Sequence, residues 1–305
     1  MGQAVAKRLL TDKHCLFAPV RPDSKSKIAD LLPFDNFHVL PGWFYDAELL
    51  AQIAEPIDMI IHLAAIRGSG KGSPADYQMV NVQGVKILLD WAKERRIKRF
   101  LYVSTVGVLG TIPARLPASA KLKPAPDGLY HQTKYQAEKL VKSWVQQDFK
   151  SLILRPTITY GPRDDGFITK MVALVKQKKM IVPNKKVFIH LLDVQAFADL
   201  ILNVITGDLF NNQIYHVADA EPVLLTSLVN LIQQVKGGRF RVLPAFFFTA
   251  GQYVSRLLAM EAFKISLQLI SQSWYYDINA TLHDLNYMPL NTEQKIRKYL
   301  ISHVY

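Results

Sequence analysis

The chain has 305 residues, 50% of them hydrophobic and 20% charged, with a formal net charge of +12 and a single cysteine, Cys15. The hydrophobic content excludes a disordered chain, and the length suits one large domain or two smaller ones. The lone cysteine excludes a disulfide framework and a zinc site made of thiolates, and it favours a cytoplasmic protein.

Short strand-like segments alternate with helical ones in the first half of the chain, which predicts an α/β fold with a parallel sheet covered by helices. The predicted helices span residues 2–11, 47–54, 75–95 and 130–147, and the predicted strands span residues 14–20, 36–41, 58–65, 99–104 and 150–155. The alternation loosens after residue 155. We therefore expect two domains, one of residues 1–160 and about 188–218, and a smaller one of about 161–187 and 219–305.

The positive charge permits contact with nucleic acid, anionic lipid or an anionic cofactor. The lysines and arginines are scattered, as on solvated helix faces and turns, so we expect no nucleic-acid partner. No apolar run reaches the ~18 residues of a membrane span. Residues 7–13 are too charged for the apolar region of a signal peptide, so none is expected.

Ligands of open parallel sheets bind where the strands end, so the residues after each predicted strand are the first candidates for a site. The stretch from Gly68 to Ser73 follows the third strand and superficially resembles a phosphate loop. A true phosphate loop has a glycine where this chain has Ala65. We interpret the stretch as a flexible loop at the mouth of a cleft.

Tyr130 and Lys134 form a Tyr-x-x-x-Lys pattern at the start of a predicted helix. A tyrosine with the ordinary pKa near 10 is a poor acid–base group at neutral pH, and a lysine one helical turn away lowers that pKa by stabilising the phenolate. A nearby Ser or Thr hydroxyl could then hold a carbonyl oxygen. Tyr135 and Lys139 form a second such pattern, but Tyr135 is rotated by about 140° around the helix, so we expect it on a packing or solvent face.

Five motifs occur in order along the chain. They are Asp58-x-x-x-His62-Leu63-Ala64-Ala65, Asn81-Val82-x-Gly84, Tyr102-Val103-Ser104-Thr105-x-x-Val108-x-Gly110, Tyr130-x-x-Thr133-Lys134-x-x-Ala137-Glu138 and Leu154-Arg155-Pro156-x-x-x-Tyr160-Gly161-Pro162-Arg163. Their order and spacing resemble those of the extended short-chain dehydrogenase/reductases. The resemblance implies a Rossmann-like, doubly wound parallel sheet with a smaller C-terminal substrate domain, and a homodimer by default.

The resemblance also implies a role for individual residues. Tyr130 is the general acid/base, and Lys134 lowers its pKa and binds the nicotinamide ribose. Thr105, five residues before Gly110, is the hydroxyl that orients the substrate, with Ser104 as the alternative, and Asn81 is a supporting polar residue. The implied cofactor contacts are Gly2, Arg21, Leu63, Ala64, Ala65, Tyr130, Lys134, Arg155 and Pro156. No metal ligand is expected.

The choice between NAD and NADP depends on the residues after the first predicted strand. An acidic residue there binds the 2′-hydroxyl of NAD, whereas an arginine accommodates the 2′-phosphate of NADP. Arg21 comes first, with Lys25 and Lys27 close behind, and no carboxylate precedes Asp23. We therefore predict NADP over NAD, with a solvent-exposed turn as the alternative. Trp43 stands where the family has an aspartate near the adenine, and it either stacks on the base or packs.

Two subfamilies compete for the substrate. Nucleotide-sugar epimerases and dehydratases usually have an asparagine at the position of Ile158, whereas residues 155–164 and 274–290 are similar to the 3β-hydroxysteroid dehydrogenase group, including sterol 4α-carboxylate 3-dehydrogenases. Residues 244–270 supply apolar surface, either as the core of the small domain or as the wall of an apolar substrate pocket that touches a membrane. We predict an NAD(P)-dependent oxidoreductase for an apolar secondary alcohol or ketone. A nucleotide-sugar epimerase or dehydratase is the alternative, and a non-catalytic dinucleotide-binding protein is the third hypothesis.

The start of the chain departs most from the family. The family opens with a strand and Gly-x-x-Gly-x-x-Gly, whose backbone holds the pyrophosphate at a helix N-terminus. Only the last glycine, Gly2, and the helix after it are matched here. We expect unpaired sheet edges and a half-built phosphate site. Either the start of the chain is misassigned or tight cofactor binding is lost, and we favour the first.

Overall fold

The computed structural model describes residues 1–67, 72–145, 148–163, 165–258 and 260–302. The strands are β1 Leu16–Val20, β2 Phe37–Pro41, β3 Met59–His62, β4 Arg99–Val103, β5 Lys150–Pro156, β6 Ile158–Tyr160, β7 Met180–Pro183, β8 Phe188–Ile189, β9 Leu191–Asp193, β10 Ile214–Val217, β11 Val223–Leu224 and β12 Phe240–Leu243. The helices are α1 Gly2–Thr11, α2 Ala47–Ala51, α3 Pro74–Gln78, α4 Gly84–Glu94, α5 Gly128–Ser143, α6 Phe167–Lys176, α7 Val194–Thr206, α8 Leu225–Lys236, α9 Ala245–Leu257, α10 Glu261–Ser271, α11 Asn279–Asp284 and α12 Thr292–Ser302. Short 3₁₀ segments span Pro22–Ile28 and Val106–Leu109, and a π-helical segment, Met79–Gln83, joins α3 to α4.

The largest sheet is parallel and has the strand order β3–β4–β5–β10. Alternate side chains of β4 point to opposite faces, as the two-residue period of a strand requires. Leu101 and Val103 pack with α1 and α7, whereas Phe100 and Tyr102 pack with α4 and α5. The sheet is therefore covered by helices on both faces, which confirms the predicted α/β, doubly wound fold class.

The sheet is interrupted between β1 and β3. β1 pairs in parallel with β2, and β3 pairs in parallel with β4. Within the described residues, no strand pairs with the second edge of β1 or of β3. Residues of both strands line one cavity together with Val5 and Leu9 of α1. The opening therefore lies between β1 and β3, beside α1.

The open edge explains one difference from the sequence prediction. We expect a buried strand over residues 58–65, but β3 is shorter, and Met59, Ile60 and Ile61 are only half-buried. A strand that is paired on one edge and faces a cavity on the other cannot bury its side chains fully.

The remaining elements surround a separate cluster of buried side chains. α8 packs against both α6 and α12 around the buried Trp274, and the two-stranded sheets β7–β12, β8–β11 and β6–β9 border this cluster. α9 and α10 form a helical hairpin. The boundaries of the two domains stay a prediction. In the described part of the chain, no helix combines the length and the apolar character needed to cross a bilayer.

Candidate active site

A cavity of about 2100 Å³ extends from the gap between β1 and β3 to the carboxyl ends of the central strands. Parallel α/β sheets usually bind their ligands at this edge, because the strand ends and the helix N-termini converge there. Most of the predicted site residues line this cavity. They are Gly2, Arg21, Leu63, Ala64, Ala65, Ser104, Thr105, Tyr130, Lys134 and Pro156. Asn81 and Arg155 are not among the lining residues.

Tyr130 and Lys134 lie one turn apart at the start of α5, and the side chain of Lys134 is fully buried. Its ammonium nitrogen lies 4.2 Å from the centroid of the Tyr102 ring. Burial lowers the pKa of Lys134 to about 7, against the opposing charge of Glu138. At neutral pH this lysine is therefore only partly charged.

Burial raises the pKa of Tyr130 to about 12, although the positive charge of Arg67 acts in the opposite direction. This is the opposite of the shift that we predicted from the sequence. The reason is that desolvation of the phenolate outweighs the effect of nearby positive charge. Tyr130 is thus held in its protonated form, which is the form that donates a proton to a carbonyl oxygen.

The two candidate hydroxyls at the end of β4, those of Ser104 and Thr105, differ in their hydrogen bonds. Thr105 Oγ1 accepts a hydrogen bond of 3.1 Å from the Gly107 backbone N–H and caps the 3₁₀ segment after β4. Ser104 is buried, and in the described part of the chain its Oγ has no hydrogen-bond partner. A buried hydroxyl without a partner costs about 1–3 kcal/mol. Both hydroxyls line the cavity, and Ser104 is the one free to accept and donate.

Asn81 lies in the π-helical segment and is buried outside the cavity. Its Oδ1 accepts a hydrogen bond of 2.8 Å from the Ile66 backbone N–H, and its Nδ2 donates one of 3.0 Å to Thr133 Oγ1. Asn81 therefore connects the loop after β3 to the helix that carries Tyr130. π-helical turns inside α-helices occur often at functional sites. The supporting role expected for Asn81 stays a prediction, and these hydrogen bonds fix its position beside that helix.

Arg155 has a different place from the one that the family resemblance implies. Its Nε and Nη2 donate hydrogen bonds of 2.8 and 2.6 Å to the two carboxylate oxygens of Glu138, and both side chains are 2% exposed. The guanidinium is thus used to hold α5 against the end of β5. The cofactor contact expected at Arg155 stays a prediction, while the neighbouring Pro156 lines the cavity.

The described residues offer several groups for an anionic dinucleotide. The N-terminus of α1 has no side-chain cap, and Met1, Gly2 and Gln3 line the cavity beside it. The N–H groups of a helix N-terminus favour phosphate. A Cβ added to Gly2 would meet no atom within 4 Å, so the approach to this helix end is open. Together with the unpartnered Ser104 hydroxyl, these groups fit the predicted cofactor.

Arg21 and Trp43 lie together at the far side of the cavity. The Arg21 guanidinium carbon is 5.1 Å from the centroid of the Trp43 ring, and Arg21 Nε is 3.6 Å from a carboxylate oxygen of Asp23. Trp43 also stacks on Tyr45, with 5.3 Å between the ring centroids. Trp43 thus packs against its neighbours and still leaves 37% of its surface exposed.

The interpretation of residues 68–73 as a flexible loop stays a prediction, because residues 68–71 lie outside the described part of the chain.

Sequence reasoning missed a carboxylate–imidazole pair beside Tyr130. His131 Nδ1 lies 2.7 Å from Asp127 Oδ1, and Asp127 also accepts a hydrogen bond from the Thr111 backbone N–H. Both residues of the pair line the cavity. A Cβ at Gly107 would lie 2.1 Å from His131 Nε2, so this glycine makes room for the ring. The available signal was the spacing of four residues between Asp127 and His131 at a helix start.

Arg67 is a second residue that the motifs did not indicate. Its guanidinium lies 3.6 Å from Asp165 across exposed surface, and its backbone carbonyl accepts a hydrogen bond of 2.6 Å from the Tyr77 hydroxyl. It lines the cavity and lowers the pKa of Tyr130 against the larger effect of burial. No pattern in the sequence distinguishes it from other arginines.

The chain is similar in sequence to several known proteins. The chain is 27% identical over 204 residues to a 4-hydroxy-2-methyl-3-oxo-4-farnesyl-3,4-dihydroquinoline-1-oxide ketoreductase of Stigmatella aurantiaca. The aligned region covers 64% of this chain and 59% of that protein. It is 24% identical over 272 residues to 3β-hydroxysteroid dehydrogenase/Δ5-Δ4 isomerase 1 of Caenorhabditis elegans, which covers 80% of this chain and 58% of that protein. The chain thus spans about three fifths of the length of these two relatives.

Among solved structures, UDP-glucuronic acid 4-epimerase from Bacillus cereus in complex with NAD superposes with a TM-score of 0.74 at 19% identity, over 98% of this chain and 92% of that one. This likeness shows the fold alone. The model of the NAD-dependent epimerase/dehydratase family matches residues 1–218, which is more than half of the chain. The chain therefore belongs to the NAD-dependent epimerase/dehydratase family of extended short-chain dehydrogenases/reductases.

Proposed function

We propose that the protein is an NAD(P)-dependent oxidoreductase that interconverts a secondary alcohol and a ketone on an apolar substrate. The observation that carries this proposal is the placement of Tyr130 in the first turn of α5, in one cavity with the hydroxyls of Ser104 and Thr105. Lys134 lies one turn further along the same helix. These are the groups that a proton transfer to a carbonyl oxygen requires.

Each residue has a defined part in this reaction. When bound, the nicotinamide supplies or accepts a hydride at the carbon that bears the oxygen. Tyr130 donates its hydroxyl proton to the ketone oxygen during reduction and takes it back during oxidation. The hydroxyl of Thr105 or Ser104 donates a second hydrogen bond to the same oxygen and orients it. The ammonium of Lys134 stabilises the phenolate, and the phenolate in turn favours the charged form of Lys134.

The cavity wall and the two relatives described above support an apolar substrate. Phe248, Leu267 and Trp274 line the cavity on the side of the α9–α10 hairpin. Both relatives described above are named for ketone or alcohol chemistry on apolar molecules, one with a farnesyl group and the other a steroid. Ligand pockets lined mainly by apolar side chains with few polar groups suit such molecules.

The test compares two tyrosines of the same helix. Tyr130→Phe removes the proton donor, and we expect turnover of hydrophobic ketones, 3-ketosteroids among them, to fall by about 10²- to 10⁴-fold. The affinity for NADPH or NADH, measured by fluorescence titration, should stay within about twofold. Tyr135→Phe is the matched control, because Tyr135 also belongs to a Tyr-x-x-x-Lys pattern but packs against the cluster around Trp274. Equal turnover in the Tyr130 and Tyr135 variants would refute the assignment.

We propose NADP as the preferred cofactor. The support is Arg21, which lies on the cavity wall with its guanidinium beside Trp43. Lys27 and Ser24 line the same part of the cavity. A guanidinium binds a phosphate through two parallel hydrogen bonds, whereas the 2′-hydroxyl of NAD offers no charge to it.

A nucleotide-sugar epimerase or dehydratase is the second candidate, because the family includes such enzymes and the B. cereus epimerase shares the fold. At the position where these enzymes usually carry asparagine, this chain has Ile158, a half-buried cavity residue. This candidate predicts tightly retained NAD and a raised melting temperature with a UDP- or dTDP-sugar. The oxidoreductase proposal predicts no thermal shift with these sugars.

A further inference from the structure

The α9–α10 hairpin exposes an unusual amount of apolar surface. In the part of the chain that the structure describes, nine exposed large apolar side chains fall between residues 242 and 263. Phe246 is 62% exposed and Leu257 is 68% exposed. The nine are Val242, Phe246, Phe247, Tyr253, Val254, Leu257, Leu258, Met260 and Phe263. A contiguous apolar patch on a protein surface marks an interaction site.

The hairpin does not use this surface for its own packing. In α9 and α10, whose residues are all described, only Phe248, Ser255 and Ser271 are buried. The inner side of the hairpin lines the cavity through Phe248 and Leu267. The two helices thus separate the cavity from the exterior, with apolar side chains on both sides.

Positive charge is concentrated in two stretches of the chain, one that contains the hairpin and one that pairs with the strand before it. Residues 166–192 contain six lysines and no carboxylate, and residues 222–276 contain five cationic residues and one glutamate. These two stretches meet where β7 pairs with β12, and they hold most of the net charge of +12. The exposed Lys185 and Lys186 are fixed beside the start of α9, because Asn184 Oδ1 accepts a hydrogen bond of 2.9 Å from the Ala245 backbone N–H.

We propose that the α9–α10 hairpin docks on the surface of an anionic phospholipid bilayer. The exposed side chains of Phe246 and Leu257 enter the boundary between headgroups and acyl chains, and Lys185 and Lys186 contact the lipid phosphates. Apolar side chains flanked by cations are the pattern of a surface-bound helix. A second copy of this chain fits the hairpin less well, because its basic surroundings would face the same positive charge.

This inference goes beyond the oxidoreductase activity and does not depend on it. It gives that activity an access route, because the hairpin that touches the bilayer is also a wall of the cavity. An apolar substrate dissolved in the membrane then reaches the cleft without crossing water.

The experiment is sedimentation of the full chain with vesicles of phosphatidylcholine alone or with 30% phosphatidylserine, in the absence of cofactor and substrate. We expect tight binding to the anionic vesicles and weaker binding to the neutral ones. Phe246→Gln with Leu257→Gln should weaken binding to anionic vesicles by about tenfold or more, since two inserted side chains are lost. The matched control is Met288→Gln with Leu290→Gln, which are 84% and 56% exposed and lie outside the hairpin.

A second pair of variants tests the charge. Lys185→Gln with Lys186→Gln should weaken binding to anionic vesicles by about tenfold or more, at about 1 kcal/mol for each cation, and leave binding to neutral vesicles unchanged. Lys121→Gln with Lys123→Gln, exposed lysines elsewhere, should bind like the wild type. Circular dichroism checks that every variant is folded. Failure of the wild type to sediment would overturn the proposal. So would a dimer in gel filtration that Phe246→Gln with Leu257→Gln dissociates, because a second copy would then cover the hairpin.

Discussion

The two sides of the cavity differ in how completely their residues are buried and packed. On the side of β4, β5 and α5, the predicted catalytic groups are held by buried contacts, such as Lys134 against Tyr102 and Asn81 against Thr133. On the side of β1, β2 and α1, the sheet has an open edge, and every residue of β1 is only half-buried. The groups proposed for acid–base chemistry thus lie on the closed side. The groups proposed for the phosphates and the adenine end of a dinucleotide, Gly2 and Arg21, lie on the open side.

This difference in packing predicts that stability and cofactor affinity depend on different residues. Residues on the closed side should control stability and turnover, because they are desolvated and tightly packed. Residues on the open side should control cofactor affinity with little effect on stability. Variants on each side test whether this separation holds.

The largest effect is expected from the ion pair that fastens α5. Glu138→Gln leaves the buried guanidinium of Arg155 without its carboxylate, and we expect the free energy of unfolding to fall by about 3–5 kcal/mol. Urea denaturation measures this change. Asp199→Asn is the control, because Asp199 pairs with Arg8 at 2.6 Å on exposed surface. Removal of that pair should cost less than about 1 kcal/mol. Similar costs for the two variants would show that the closed side is no more tightly held than the surface.

The next effect concerns pH. The pKa of Lys134 is lowered by burial from 10.5 to about 7. Between these pH values the unfolded chain binds more protons than the native protein, so Lys134 makes the free energy of unfolding rise with pH, by up to about 1.4 kcal/mol per pH unit. Lys134→Met should remove this rise, measured by urea denaturation from pH 7 to 10. Lys142→Met, at an exposed position of the same helix, should retain it. An unchanged pH dependence in Lys134→Met would contradict the desolvation of this lysine.

The third prediction concerns an added strand that would pair with the open edges of β1 and β3. An extension before Met1, with five apolar residues and a glycine-rich turn, can pair with the free edges of β1 and β3. We expect the free energy of unfolding to rise by about 2 kcal/mol, which corresponds to one or two newly buried apolar side chains, and the affinity for NADPH to increase. A Gly/Ser extension of equal length is the control. If both extensions behave alike, the opening in the sheet does not accept a strand.

The sequence predicted much of this arrangement because its signals are local. α1 spans residues 2–11 as predicted, since its apolar side chains recur at helical spacing. The interruption of the sheet was predicted from the missing glycine motif, because a strand and its phosphate turn are adjacent in sequence. The motif positions also placed Tyr130, Lys134, Ser104 and Thr105 in one cavity, since strand ends and helix starts converge in a parallel sheet.

The sequence was less informative where an answer depends on residues that are distant along the chain. A motif places Arg155 at a strand end, but it does not show that the Arg155 guanidinium donates two hydrogen bonds to the carboxylate of Glu138. The pKa of Tyr130 depends on how completely the fold removes water, which the Tyr-x-x-x-Lys pattern does not encode. The pairing of Asp127 with His131 was within reach of spacing arguments, whereas the position of Arg67 at the cavity was not.

The smallest effect tests the open side through Arg21. Arg21→Glu replaces the group proposed for the 2′-phosphate, and we expect the Kd for NADPH to rise by about tenfold or more, as loss of a charge-assisted hydrogen bond implies. The Kd for NADH should change by less than about threefold, and the melting temperature should stay the same, because Arg21 is partly exposed and its contacts with Trp43 and Asp23 lie at the surface. Fluorescence titration with both cofactors measures the ratio. Equal weakening for NADPH and NADH would mean that Arg21 acts on a part of the dinucleotide that both share. A fall in melting temperature would mean instead that the open side contributes to stability, and the separation between the two sides would not hold.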